Sequence, residues 1–246
     1  MNKKHFILII VFLLFFIVPG LVSLLTDWFW FGEIGFENIF ITILSAKIIL
    51  GFVIGFITFG LIYLNLRVAS ALTKDRPIMI VLDQNTAPID VGKYVHKFIL
   101  FLSLIIGFFA GLAGAANWNT LLQYLNSTSF GVLEPIFSRD ISFYFFTLPF
   151  LKASIGFLLW IAVVSLIGSA LIYFGRGVFS FFGRRSGFVR FSSEGELTED
   201  KTRKNPKIHL SLLLCFLFLI LAVETYFVRI PNLLYSTTGS FMGATY

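Results

Sequence analysis

The residues of this chain that could do chemistry are charged side chains inside long apolar segments. Lys47, Lys152 and Glu224 each lie in a segment that is otherwise almost free of charge. An ionisable side chain within lipid is costly, so such residues often mark a substrate or ion pathway. We favour the structural alternative, in which lysines extend to the membrane surface and Lys47 and Glu224, predicted at the same side of the membrane, form an ion pair.

A second set of candidates lies in the segment 117–149, between two apolar runs. Its candidate residues are Glu134, Pro135, Asp140 and Tyr144. Two carboxylates that converge can act as general acid and general base. Spacing along the chain does not show whether these two converge, so this segment is a candidate site without an assigned reaction.

Motifs for known chemistry are absent from the sequence. His5, His96 and His209 lie far apart, and none has a partner at metal-binding spacing. The sequence also lacks a phosphate-binding loop, a dinucleotide fingerprint and a nucleophile elbow. We therefore predict that the chain is not an enzyme, that it binds no cofactor or metal, and that its histidines form hydrogen bonds at helix ends.

The amino-acid composition indicates that the surroundings of these residues are lipid. Hydrophobic residues make up 57% of the 246 residues, charged residues 13%, and the mean hydropathy is +0.90. A soluble domain of this size has too little interior to bury so much apolar surface. The single Cys215 also excludes an intrachain disulfide. The chain is predicted to be a polytopic membrane protein.

Apolar segments of about 20 residues are long enough to cross a bilayer as helices. The sequence contains five of them, which predict an all-α transmembrane bundle. Lys3 and Lys4 ahead of the first segment also resemble a signal peptide, but no small-x-small cleavage site follows, so we expect this segment to stay as a membrane anchor. The predicted spans are 6–26, 39–66, 98–116, 150–174 and 210–228.

The distribution of basic residues predicts the orientation of these spans. If the N-terminus is inside, 15 of the 19 lysines and arginines fall in cytoplasmic segments. Positive residues concentrate on that side of membrane proteins. Five spans then place the C-terminus outside. The positive charge is therefore topological, and the predicted partner is the lipid bilayer rather than nucleic acid.

Three shorter features refine the prediction. The aromatic segment 27–38 is predicted as a turn at the membrane surface, and 118–125 as a short interfacial helix. The spacing of Gly51 with Gly55, and of Gly107 with Gly111, predicts helix faces that approach other helices closely.

Four blocks of sequence carry a resemblance to a known family. The second block is the most specific, because it is long and combines aromatic, acidic and proline positions. The residues are Asp27-Trp28-Phe29-Trp30-Phe31; Phe130-Gly131, Glu134-Pro135 and Asp140-Ile141-Ser142-Phe143-Tyr144; His209-Leu210-Ser211; and Gly243-Ala244-Thr245-Tyr246. The chain resembles the N-terminal part of uncharacterised protein family 0182, which comprises large bacterial and archaeal membrane proteins of unknown function.

The resemblance implies a protein longer than this chain. Residues 1–246 would form a single transmembrane domain, the truncated N-terminal part of a protein with further spans and an extracytoplasmic domain. Glu134 stands where members of the family usually have Asp. The family supplies no activity and no catalytic residue.

Two functions from different classes follow as hypotheses. The favoured one is a multi-pass cell-membrane anchor that presents an extracytoplasmic region, either a protein partner or the chain's own missing C-terminal domain. The alternative is a transporter or membrane-embedded transferase that uses Lys47, Glu224 and the acids around Asp140. The sequence does not define an oligomeric state.

Overall fold

The computed structural model describes residues 3–74, 79–80, 89–90, 92–176, 178 and 206–235, with side chains left out at residues 3–13, 16–17, 79–80, 89–90, 92–93 and 235. Its architecture is helical, which confirms the all-α part of the predicted fold class. A two-residue antiparallel ladder joins β1 (Met79–Ile80) to β2 (Ile89–Asp90). The helices are α1 (Lys3–Glu33), α2 (Glu37–Leu72), α3 (Gly92–Ala115), α4 (Trp118–Leu125), α5 (Leu148–Gly175), α6 (Pro206–Glu224) and α7 (Ile230–Asn232).

Within the described residues, four helical segments are long and apolar enough to cross a membrane. They contain the predicted spans 39–66, 150–174 and 210–228, and 98–116 except for its last residue. The first predicted span, 6–26, lies within α1, but many of its side chains are outside the described residues. Five membrane crossings therefore remain a prediction. The four segments are Glu37–Leu72, Tyr94–Ala115, Phe143–Gly175 and Pro206–Asn232.

The prediction of a turn over the whole segment 27–38 is wrong. The helix α1 continues through the aromatic residues to Glu33, and α2 begins at Glu37. The reversal is confined to the residues between them, where Gly35 has a φ of +72° that a glycine adopts without strain. Trp28 packs against Phe40 of α2 with ring centroids 5.4 Å apart. The aromatic residues thus extend a helix pair rather than form a loop.

The helices α2 and α3 pack antiparallel through their glycines, as the small-residue spacing predicts. A Cβ added to Gly55 would lie 3.0 Å from the carbonyl oxygen of Gly107, and one added to Gly111 would lie 2.7 Å from the carbonyl oxygen of Gly51. Backbones that approach so closely leave no room for a side chain. Gly51 of α2 therefore contacts Gly111 of α3, and Gly55 of α2 contacts Gly107 of α3.

The helix α5 runs in the same direction as α2, and α6 runs back along α5. Ser169 of α5 lies beside Asn65 of α2, while Ile220 of α6 packs in one core with Tyr144 and Ile155. The bundle therefore has two ends. We call the one that carries α4 the α4 end and the opposite one, where α2 and α5 both finish, the Arg176 end.

Two widened turns interrupt these helices, and each ends two residues before a proline. A π-helical turn at Phe143–Thr147 precedes Leu148-Pro149, and another at Thr225–Arg229 precedes Ile230-Pro231. Proline has no N–H and its ring collides with the carbonyl four residues earlier in a regular helix. The wider turn relieves this collision and continues the helix. The membrane-length segment Phe143–Gly175 consequently begins before residue 150, where the predicted span begins.

Candidate functional site

Asp140 organises the loop between α4 and α5. Its carboxylate accepts hydrogen bonds from the Ser129 hydroxyl at 2.5 Å, from the backbone N–H of Gly131 at 2.9 Å and from that of Ser142 at 2.8 Å. The N–H of Phe130 adds a fourth at 3.2 Å. One side chain therefore joins the beginning of the loop to its end.

These donors also fix the charge of Asp140. Hydrogen bonds from the side chains of Ser129 and Ser142, together with the backbone N–H of Ser142, hold the pKa of the Asp140 carboxyl well below its ordinary value of 3.8. A carboxylate stabilised in this way is a weak base and stays ionised at neutral pH. Its chemistry is that of a structural acceptor rather than a general acid.

Glu134 holds the middle of the same loop. Its two carboxylate oxygens accept from the backbone N–H groups of Ile136 at 2.5 Å and Phe137 at 2.7 Å. Both residues directly follow Pro135, which has no N–H. The Tyr144 hydroxyl donates to the same carboxylate at 3.3 Å, and the Tyr144 side chain is buried. Glu134 and Tyr144, two of the candidate residues, are thus in contact.

The backbone completes this loop. The N–H of Glu134 donates to the carbonyl of Arg139 at 2.8 Å, and that of Ile141 donates to the carbonyl of Val132 at 3.0 Å. The Arg139 guanidinium lies 4.4 Å from the centre of the Phe143 ring. We name residues 129–144 the acidic loop. Its two carboxylates accept hydrogen bonds from separate sets of backbone N–H groups, and together they stabilise the conformation of the loop.

Lys47 and Glu224 do not pair, so the predicted ion pair is wrong. Glu224 lies instead 2.7 Å from Nε of Arg229, measured from its Oε2. Residues five apart are separated by about 140° around a regular α-helix. The π-helical turn at Thr225–Arg229 removes much of that angle and brings the two side chains to one side.

Lys47 extends toward the α4 end of the bundle. Its ammonium lies 5.6 Å from the centre of the Trp118 ring, at the first residue of α4. Lys152 is exposed in the first turns of α5. The three charged candidates of the apolar segments therefore have separate environments, and the structure does not assemble them into one site.

The described histidines make hydrogen bonds at helix ends, as predicted. Arg67 of α2 contacts the ring of His96 on α3, and the Tyr173 hydroxyl lies 2.7 Å from Nδ1 of His209. The side chain of His5 is outside the described residues. Among the described part of the chain, no group of three or more His, Cys, Asp or Glu residues could hold a metal ion.

Sequence reasoning missed the polar contacts of the Arg176 end. Arg176 is 7% exposed and donates to the carbonyl oxygen of Thr73 at 2.6 Å and to the hydroxyl of Ser70 at 3.1 Å. The Ser169 hydroxyl donates to Oδ1 of Asn65 at 3.2 Å. A cation at the C-terminal end of α2 also complements the helix dipole. These residues fasten α5 to α2.

A family model for an uncharacterised protein family, UPF0182, matches residues 4–246, and the chain belongs to that family. It is 28% identical over 248 residues to a UPF0182 protein of Geobacter sp. (strain M21), covering 100% of this chain and 26% of the relative. It is 31% identical over 254 residues to one of Trichodesmium erythraeum (strain IMS101), with the same coverage of 100% and 26%.

A UPF0182 protein of Rhodococcus opacus (strain B4) is 30% identical over 193 residues, covering 75% of this chain and 19% of the relative. The chain thus spans about a quarter or less of the length of these curated relatives. No solved structure matches it.

Proposed function

We propose that this chain is a multi-pass anchor in the cell membrane, within the N-terminal part of a longer protein. It has its N-terminus inside and presents an extracytoplasmic region at the α4 end. The four membrane-length helices support the membrane assignment, and the share of the relatives that the chain covers supports a longer protein.

One observation carries the choice of an anchor over an enzyme. The two acids of the candidate motif, Glu134 and Asp140, accept hydrogen bonds from the backbone of their own loop. A catalytic pair would instead converge on a shared cleft, where a substrate could reach both. The acidic loop is therefore suited to holding a fixed surface at the end of the bundle.

Reporter fusions test this proposal. Alkaline phosphatase, which is active only outside the cytoplasm, is fused after Tyr246 in one chain and after Val178 in another. We expect both products to stay in the membrane after carbonate washing, with enzyme activity in the first and none in the second. Activity of the Val178 fusion alone, or loss of both products from the membrane, contradicts the proposal.

The alternative function is a transporter or membrane transferase that uses Lys47 and Glu224. It requires these charges to act together, whereas Glu224 contacts Arg229 and Lys47 contacts Trp118. Neutralising Lys47 and Glu224 in a family member whose solute flux is measurable tests this alternative. An unchanged flux removes it.

A further inference from the structure

A groove runs along the surface of the α2–α3 pair, beside the contact between their glycines. Because Gly51, Gly55, Gly107 and Gly111 carry no side chain, the floor of this groove is backbone. Its volume is about 760 Å³. The walls are two ridges with a spacing of four residues, formed by Ile48, Phe52 and Phe56 on α2 and by Leu104, Phe108 and Leu112 on α3.

The dimensions of this groove match one acyl chain in one leaflet. Its lining runs along α2 from Lys47 to Phe59, which at 1.5 Å per residue is about 18 Å. Half of the hydrocarbon core of a bilayer is about 15 Å. The phenylalanines of the wall are exposed, Phe52 by 72% and Phe56 by 65%. An apolar chain lying here would cover them.

The charge of the groove lies at one end. Lys47 is the charged residue of its lining, and the contact with Trp118 holds the ammonium at the level of the interfacial helix α4. Tryptophan is enriched at the depth of the lipid headgroups. The described ion pair of the chain joins Glu224 to Arg229, so no described carboxylate lies within 4.0 Å of Lys47. The ammonium is thus placed to receive an external anion.

A second cavity provides the contrast. It has about 740 Å³ between α2, α3, α4 and α5, and its lining includes Asn117, Thr120 and Ser154 but no charged residue. Shape alone does not select an occupant for that cavity. The groove of α2 and α3 has the length of an acyl chain and a cation at headgroup depth. Together these two features indicate a phospholipid as its occupant.

We propose that the α2–α3 groove binds a glycerophospholipid of the leaflet at the α4 end. One acyl chain lies between the two ridges, and the phosphate contacts Lys47. The inference rests on the proposed membrane insertion of the chain. It assigns to Lys47 a role in lipid recognition, which differs from the pathway considered from the sequence.

Native mass spectrometry of the full chain in mild detergent tests this site with two probes. Phosphatidylglycerol and a diacylglycerol with the same acyl chains differ in the phosphoglycerol headgroup. We expect one phosphatidylglycerol per chain, bound about fivefold more tightly than diacylglycerol, as one lysine near a headgroup implies. Lys47→Ala should abolish this preference, and Lys152→Ala, at an exposed lysine outside the groove, should keep it.

A second variant tests the wall independently of the charge. Phe52→Ala with Phe56→Ala removes two exposed rings, so folding should be unaffected while both lipids bind more weakly. Equal binding of the two lipids by the unchanged protein, or a preference that survives Lys47→Ala, overturns the proposal. A lipid-free dimer also overturns it, because a second copy would then cover the groove. Carbonate extraction reports separately whether the chain inserts into membranes at all.

Discussion

Hydrogen bonds stabilise both ends of the bundle, but they differ in the sequence separation between donor and acceptor. In the acidic loop, Asp140 accepts from donors 2 to 11 residues away. At the opposite end, the two bonds of Arg176 join residues 103 and 106 positions apart in sequence. The first kind folds a segment onto itself, whereas the second kind fastens one helix to another. We therefore expect a broken bond to have local consequences at the α4 end and global consequences at the Arg176 end.

The largest effect is expected from Arg176→Met. It removes two hydrogen bonds from a buried guanidinium and leaves the carbonyl of Thr73 without that donor. Hydrogen bonds to charged groups are worth about 1.5–3 kcal/mol, so we expect a loss of about 3 kcal/mol in the free energy of unfolding. Denaturation in mixed micelles measures it.

The matched control for Arg176→Met is Lys74→Met, at an exposed cation of the same end. It should change the free energy of unfolding by no more than about 0.5 kcal/mol. If the two variants unfold alike, the Arg176 contacts do not fasten α5 to α2.

The next largest effect is expected from Gly107→Ala, which tests a long-range contact made without side-chain hydrogen bonds. The new Cβ would lie 2.8 Å from Cβ of Phe59 and 2.9 Å from the carbonyl oxygen of Gly55, so α2 and α3 must separate. Overpacking of this kind costs about 1–3 kcal/mol. Thermal unfolding in detergent measures the loss.

Gly60→Ala is the control for that substitution, because the added Cβ would have no atom within 4 Å beyond its chain neighbours and its own helix backbone. Alanine in an open helical position stabilises by up to about 1 kcal/mol relative to glycine. A destabilisation of the same size at both positions would exclude the close contact between α2 and α3 as its cause.

A smaller and local effect is expected from Asp140→Asn. The amide keeps one acceptor oxygen but loses the charge that binds Ser129, Gly131 and Ser142. We expect faster proteolysis within residues 129–144 and little change in global unfolding. Mass spectrometry of the cleavage sites measures this, and Ser127→Ala, just outside the loop, serves as the control. Global unfolding with no local cleavage would contradict the local character of the acidic loop.

The smallest effect on the stability of the acidic loop is expected from lowering the pH. Because the folded pKa of Asp140 is depressed, its contribution to stability is present above the unfolded pKa near 3.8 and is lost as the pH falls through the folded value. Protection of the acidic loop from pepsin should therefore decline below about pH 4. The decline should be weaker in Asp140→Asn, and an identical decline in both proteins would exclude Asp140 as its source.

This difference in sequence separation also explains which contacts could be predicted from the sequence. The acidic loop was identified as a candidate segment because its acids lie close together along the chain, although their hydrogen-bond partners were not predicted. The glycine stripes and the helix 118–125 were likewise predicted, since each follows from a local period. Asn65, Ser169 and Arg176 were missed, because a bond across more than 100 residues leaves no spacing to recognise.

Two predictions failed for a related reason. The ion pair of Lys47 with Glu224 was inferred from equal depth, but depth does not fix the angle around a helix axis. The π-helical turn at Thr225–Arg229 reset that angle and gave Glu224 a nearer partner. The segment 27–38 was interpreted as a turn from its glycines and aromatics, although Gly35 alone among them required a special backbone conformation.

Cysteine labelling in intact cells tests most directly whether the two ends of the bundle face opposite sides of a membrane. Cys215 is first replaced by serine, and single cysteines are then placed at Ser127, beside the acidic loop, and at Lys74, at the Arg176 end. A membrane-impermeant maleimide should label Ser127→Cys directly and Lys74→Cys only after permeabilisation. Direct labelling of both positions, or of Lys74→Cys alone, would contradict this orientation.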